Sequence, residues 1–200
     1  MCNEAARRIP LDQLRSDWGQ TRIPLRFPEG LPNMAPLDSI RITDASVIIR
    51  AAADVPGEAE LVTRRWSWPG PTGKPVYNFR SDGRALDHGR CLIPVDAFFE
   101  FTDTPTEPGS GKKPPKSKWR FTMRGLNWFC VAGLWRTDAK VGEAWTMLTT
   151  APGPDIAPFH NRQIVLLKPE NWEAWLDPLV PAMDFCKPLP AGSLSVEQVR

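Results

Sequence analysis

The stretch Arg90-Cys91-Leu92-Ile93-Pro94-Val95-Asp96-Ala97-Phe98-Phe99-Glu100-Phe101 carries the reading of the fold. Its β-branched and aromatic enrichment predicts two successive strands, Arg90–Val95 and Ala97–Phe101. Outward from it, runs of the same kind bounded by breakers predict strands at Ser46–Ala51, Trp119–Met123, Trp128–Trp135, Ala144–Thr150 and Gln163–Leu167. A helix is expected over Pro169–Leu176, where Pro169 suits the first turn and Glu170 and Glu173 favour its positive end. A second helix is read at Leu11–Trp18, and the stretches 19–45 and 52–89 read as long and irregular. Twenty-two prolines and fourteen glycines keep every element short. The expectation is α+β: a single compact β-rich domain over residues 1–200, with an irregular, mostly antiparallel sheet or barrel and a few short helices. Thr102–Lys118 reads as a surface hairpin loop, and residues 180–200 as a C-terminal extension.

Two hundred residues suffice for one proper core, and 42% hydrophobic with 24% charged residues is a globular balance. The longest apolar run, Trp128–Trp135, is too short to span a bilayer. Arg7 and Arg8 are followed by no apolar segment of the kind a secretory signal needs, so a cytoplasmic protein with no membrane partner is expected. Cys2, Cys91, Cys130 and Cys186 are scattered, and the only histidines are His88 and His160, so neither a metal site nor a disulfide framework is expected. No cofactor is implied. Net charge is only +2, but residues 112–124 hold six cations and no acid. Such a run attracts phosphates, or it is a solvated loop.

Cys2 follows the initiator methionine. Removal of Met1 would expose an amine and a thiol on one residue, a 1,2-aminothiol that condenses with aldehydes to a Schiff base and then a thiazolidine. The amine, at an ordinary pKa of ~7.7–8.0, is partly neutral near pH 7, and the thiol near ~8.5 needs only modest activation. Asn78, Arg80 and Asp82 alternate along Tyr77–Asp82, which puts them on one face if extended. Arg80 suits a phosphate and Asn78 suits orienting a nucleophile. Glu100 lies in Phe98-Phe99-Glu100-Phe101, where burial would raise its pKa and make it a proton carrier; alternation could instead point it to solvent. His160, in a proline-rich loop before a strand, is either an acid–base group or a structural histidine. Trp66 and Trp68, interleaved with Arg64 and Arg65, suit stacking on unpaired bases.

Taken in order, Met1-Cys2, Asn33-Met34-Ala35-Pro36, Arg65-Trp66, Asn78-x-Arg80-Ser81, Arg90 to Glu100, Thr149-Thr150 and His160-x-Arg162 resemble the SOS response-associated peptidase (SRAP) family from residue 2 to about 167. The resemblance implies a compact β-rich α+β domain and an enzyme that crosslinks to abasic sites in single-stranded DNA through a thiazolidine. Carried over, Cys2 is the nucleophile, Asn78 positions it, Glu100 moves protons, and His160 opens the sugar and in some members reverses the crosslink. Arg80, Arg162, Thr149, Pro36 and Trp66 would hold the phosphates and the bent strand. A monomeric, nucleoid-associated protein is the matching expectation.

This chain departs from the family pattern in several places. Asn3-Glu4 stands where Gly-Arg is usual, Asp82 replaces a glutamate, and Phe79 replaces a small residue. Phe99 and Phe101 replace a tyrosine and a tryptophan, and 67–90 is shortened. Losing a basic residue at Glu4 would weaken DNA binding or change the preferred strand structure. Two other readings stand beside the crosslinking enzyme: a cysteine peptidase using Cys2, Glu100 and His160, and a non-catalytic DNA-binding module.

Overall fold

A computed structural model describes residues 2–105 and 114–200. Strand makes up 42% and helix 10%, so the α+β expectation holds with β dominant. The strands Ala45–Ala51, Ala59–Trp66, Arg90–Val95, Phe129–Asp138 and Gly142–Thr150 pair in a ring. A parallel pairing of Ala144 with Arg65 and Trp145 with Trp66 closes it into a five-stranded barrel. Closure leaves these strands no free edge. A second, five-stranded antiparallel sheet runs in the order Leu194–Gln198, Ser117–Met123, Ala97–Thr102, Glu4–Arg7, Leu37–Arg41.

The stretch 90–101 joins these two bodies. Its first half is a barrel strand and its second half lies in the other sheet. Asp96 marks the corner: its N–H donates to the Ala6 carbonyl at 3.0 Å, and its carboxylate accepts from the Arg8 backbone N–H at 3.0 Å and from Arg8 Nε at 2.9 Å. Barrel strands are buried on both faces, which is why they read as continuous apolar runs. Adjacent residues serve different clusters: Ile49 and Leu92 pack with Trp18, Trp172 and Trp175, while Ile48 and Ile93 pack with Phe98, Phe121 and Phe129. The second cluster holds Cys2.

The helix Leu11–Trp18 forms as expected, with Leu14 and Trp18 buried; Trp18 stacks on Trp172. Pro169–Leu176 divides into a 3-10 turn, Pro169–Asn171, and a helix, Trp172–Leu176. Arg90 closes that helix. Buried, it donates to the carbonyls of Leu86, Trp175, Asp177 and Val180. The Trp175 and Asp177 carbonyls are among those a helix end leaves unpaired.

Four strands of four or more residues lie where the sequence suggested none: Glu4–Arg7, Leu37–Arg41, Ala59–Trp66 and Leu194–Gln198. Charge disguised the barrel strand Ala59–Trp66, because Glu60 pairs with Arg50 at 2.6 Å while Arg64 bridges Glu143 and Glu29. Leu194–Gln198, within the stretch read as an extension, pairs along Ser117–Met123. Thr102, Ser117 and Lys118 are strand residues rather than loop; the centre of that proposed loop, residues 106–113, lies outside the described residues.

Candidate active site

Three segments distant in sequence meet at Cys2. The residue precedes the strand Glu4–Arg7, which is inserted between Ala97–Thr102 and Leu37–Arg41 with Glu4 opposite Phe99 and Arg41. Insertion places Cys2 beneath the sheet, 1% exposed, with its thiol 3.4 Å from the Glu4 carbonyl. Asn78 comes from the short strand Asn78–Arg80, parallel to Met147–Thr149, and its Nδ2 donates to the Cys2 carbonyl at 2.7 Å. Asn78 Oδ1 is buried and has no hydrogen-bond partner among the described residues.

Glu100 faces inward, 2% exposed, and accepts from the Cys2 main-chain N–H. Burial pushes its carboxyl up to about 7, only partly opposed by the amino-terminal charge and the Cys2 N–H. The alternation Phe99-Glu100-Phe101 therefore turns the acid into the site and the rings to the other face. Burial also pushes the Cys2 thiol up, and the neighbouring Glu100 pushes it further; backbone groups of Glu4 and Phe99 oppose this. The modest activation expected from sequence does not hold: the resting thiol is protonated because its surroundings are dry.

His160 is half-buried in the turn between Thr150 and Gln163. Its Nδ1 accepts from the Arg162 N–H at 3.0 Å, which leaves the neutral ring's proton on Nε2. Burial, then the amino-terminal charge, holds His160 below its ordinary pKa, so the ring is neutral near pH 7. Packing of Phe159 on Trp119, at 4.7 Å between ring centroids, fixes this turn against the second sheet.

Of the residues expected to hold a polymer, Arg80 is exposed beyond Asn78, and Pro36 is exposed in the loop whose Met34 and Ala35 carbonyls accept from the buried Arg7. Arg162 donates to the Thr149 carbonyl at 2.8 Å and pairs with Asp82 at 2.7 Å. Thr149 itself is 1% exposed, so its hydroxyl serves Arg162 rather than the surface. Trp66 requires a correction. It is fully buried, stacked on Trp145 at 5.2 Å, and its indole N–H donates to the Tyr77 carbonyl at 2.9 Å. No face is open to a base; the ring instead supports the segment carrying Asn78. Trp68 is likewise buried, under the Arg136 guanidinium.

The sequence reading assigned no site role to Arg7 or Ser39, and took Lys118 only as one of a run of cations. Glu4 does not face the open site: its carboxylate accepts from Ser39 Oγ at 2.6 Å and from Lys118 Nζ at 2.7 Å. Burial acts to raise Glu4, but these partners outweigh it and hold the carboxyl below its usual range. The only available signal was an acid inside an otherwise buried segment. Among the described residues no group of three His, Cys, Asp or Glu side chains could hold a metal ion, and no helix is long and apolar enough to cross a membrane.

Comparison with known proteins places the site in context. A family model described as SOS response associated peptidase (SRAP) matches residues 1–200. Among curated relatives, the abasic site processing protein YoqW of Bacillus subtilis is 31% identical over 106 residues, covering 50% of this chain and 43% of that protein. YobE of the same organism, also named an abasic site processing protein, is 30% identical over 112 residues, covering 53% of this chain and 47% of its own. The match thus spans less than half the length of these relatives. A solved Bordetella bronchiseptica protein superposes with a TM-score of 0.71 at 22% identity, with both chains fully covered. A Bacteroides thetaiotaomicron protein gives 0.72 at 15% identity, covering all of this chain and 92% of the other. At such identities these two structures speak for the fold.

Proposed function

This chain belongs to the SOS response associated peptidase family, and we propose that it processes abasic sites in single-stranded DNA by capturing the ring-opened sugar covalently on Cys2. The observation that carries this reading is the way the Cys2 main chain is held at both ends: its N–H on Glu100 and its carbonyl on Asn78. Removal of Met1 would turn that nitrogen into an α-amine already beside a carboxyl that, with Met1 in place, titrates at about 7 because it is buried. Near neutrality such a carboxyl is present in both forms and serves as acid and base.

The chemistry then follows in balanced steps. The neutral amine adds to the aldehyde carbon while protonated Glu100 gives its proton to the forming alkoxide and takes one from nitrogen, leaving a hydroxyl. Glu100 then gives that proton to the hydroxyl, which leaves as water, giving the cationic C=N bond. The Cys2 sulfur adds to that carbon while its proton moves to Glu100, and the five-membered ring closes with one water released overall. A buried carboxylate beside the cationic imine stabilises it more than water would. His160, neutral with its proton on Nε2, is suited to donate to the sugar ring oxygen as the ring opens. Exposed Arg80 and the Arg162–Asp82 pair are suited to phosphates on either side. The names of the Bacillus relatives support the abasic-site substrate.

The peptidase alternative gains less support. It needs a thiolate, usually held by an imidazolium, whereas the Cys2 thiol is pushed up and its hydrogen bond goes to a backbone carbonyl. The test incubates the protein, shown by mass spectrometry to lack Met1, with single-stranded DNA carrying one abasic site. A heat-stable, higher-mass species on a denaturing gel is expected, and amine acetylation should abolish it. No adduct with the processed protein refutes the proposal.

A further inference from the structure

We infer that Lys118 is a positioning residue for Cys2, acting through Glu4; this rests on the reading of Cys2 given above. Glu4 stands two residues after Cys2 and begins a strand only four residues long. A strand that short is easily displaced, so the placement of Cys2 depends on what pins its first residue. Glu4 is 6% exposed, and its Oε1 receives both the Lys118 ammonium and the Ser39 hydroxyl. Lys118 comes from the strand beyond Ala97–Thr102, where it pairs with Phe101 in register. To reach Glu4 it passes over Phe99, with Nζ 3.9 Å from that ring's centroid and 5.9 Å from that of Phe101. A cation over an aromatic face gains electrostatic attraction there, and a partly desolvated one gains more.

One strand thus carries both halves of the arrangement. Glu100 holds the Cys2 nitrogen on one face, while Phe99 and Phe101 seat the cation that holds Glu4 on the other. The groups facing Glu4 are Lys118, Ser39 and Arg41; Arg41 is exposed, and its Nε donates to Ser39 Oγ at 3.1 Å rather than to Glu4. Without Lys118 a buried carboxylate would keep one neutral donor. That outcome favours pulling the strand end toward water, and Cys2 would leave Glu100 with it. A displacement of about 1 Å at a reacting group is enough to slow chemistry strongly. Lys118, read from sequence as one of a run of cations fit for phosphates, is spent on the fold of the site.

The experiment compares wild type with Lys118→Met, Lys118→Arg and the reciprocal Glu4→Lys/Lys118→Glu variant, each verified to lack Met1. Lys118→Met should slow adduct formation about tenfold at saturating abasic oligonucleotide, with the Kd for an undamaged oligonucleotide unchanged. Lys118→Arg or the reciprocal variant should restore most of the rate, which a general loss of folding would not allow. Three results overturn the inference: an unchanged rate in Lys118→Met, a loss that neither rescue repairs, or a loss confined to DNA affinity, which would make Lys118 a phosphate contact. If wild type forms no adduct, the reading of Cys2 falls, and positioning is read from iodoacetamide labelling of Cys2 in the N-terminal peptide. Labelling should then be about tenfold faster in Lys118→Met and slowed again in the reciprocal variant; equal rates would overturn the inference.

Discussion

Replacing Glu100 by Gln removes a buried titrating group from the site while keeping its shape. In the folded protein the Glu100 carboxyl titrates at about 7, against an ordinary 4.5, because burial disfavours its charged form. The folded state therefore binds this proton more tightly than the unfolded chain does. The sign follows: the stability from the protonated group is fully present below about pH 4.5, declines as pH rises through the window to about 7, and is gone above it. The shift corresponds to about 3 kcal/mol, from roughly 1.4 kcal/mol per unit. Glu100→Gln carries no such dependence. Urea denaturation of both proteins between pH 4.5 and 8 should show wild type losing up to about 3 kcal/mol relative to the variant, with titrations that do not touch Glu100 cancelling in the difference. Over the same range the variant's adduct rate should fall about 10²–10⁴-fold and lose its inflection near pH 7, with DNA affinity retained. A stability difference that stays constant with pH would refute the assignment of a raised carboxyl at this position.

Three further outcomes are expected. Arg90→Met leaves four carbonyls, two of them at the helix end, without their donor and should cost about 3 kcal/mol, read as a lowered thermal midpoint with the adduct chemistry intact in the folded fraction. Asp82→Asn frees Arg162 from its 2.7 Å ion pair; affinity for single-stranded DNA should rise, and the slope of log K against log salt should steepen by roughly 0.7. Trp66→Phe removes the donor to Tyr77 and part of a buried stack. It should lower stability by about 1–3 kcal/mol with little change in DNA affinity, whereas a large affinity loss at unchanged stability would restore a base-stacking role.

Legibility in the sequence followed burial. Strands with long stretches buried on both faces, such as residues 91–95 and 129–132, announce themselves because those residues are apolar. Ala59–Trp66 stayed hidden because its charges are neutralised by Arg50, Glu143 and Glu29, partners far along the chain. Glu4–Arg7 stayed hidden because four residues carry too little pattern, and only insertion between two other strands makes them a strand.

At the site, the sequence by itself determined the reactive groups: a cysteine after Met1, an acid inside an aromatic run, an asparagine and a histidine. Chemical identity is local, so it can be read from one dimension. Tertiary structure alone decided what those groups are poised to do. It buried the Cys2 thiol until it is held protonated, raised Glu100, and withdrew Trp66 and Thr149 from the surface. It also gave Lys118 to Glu4. Desolvation and pairing depend on which atoms surround a group, and those atoms come from strands a hundred residues apart.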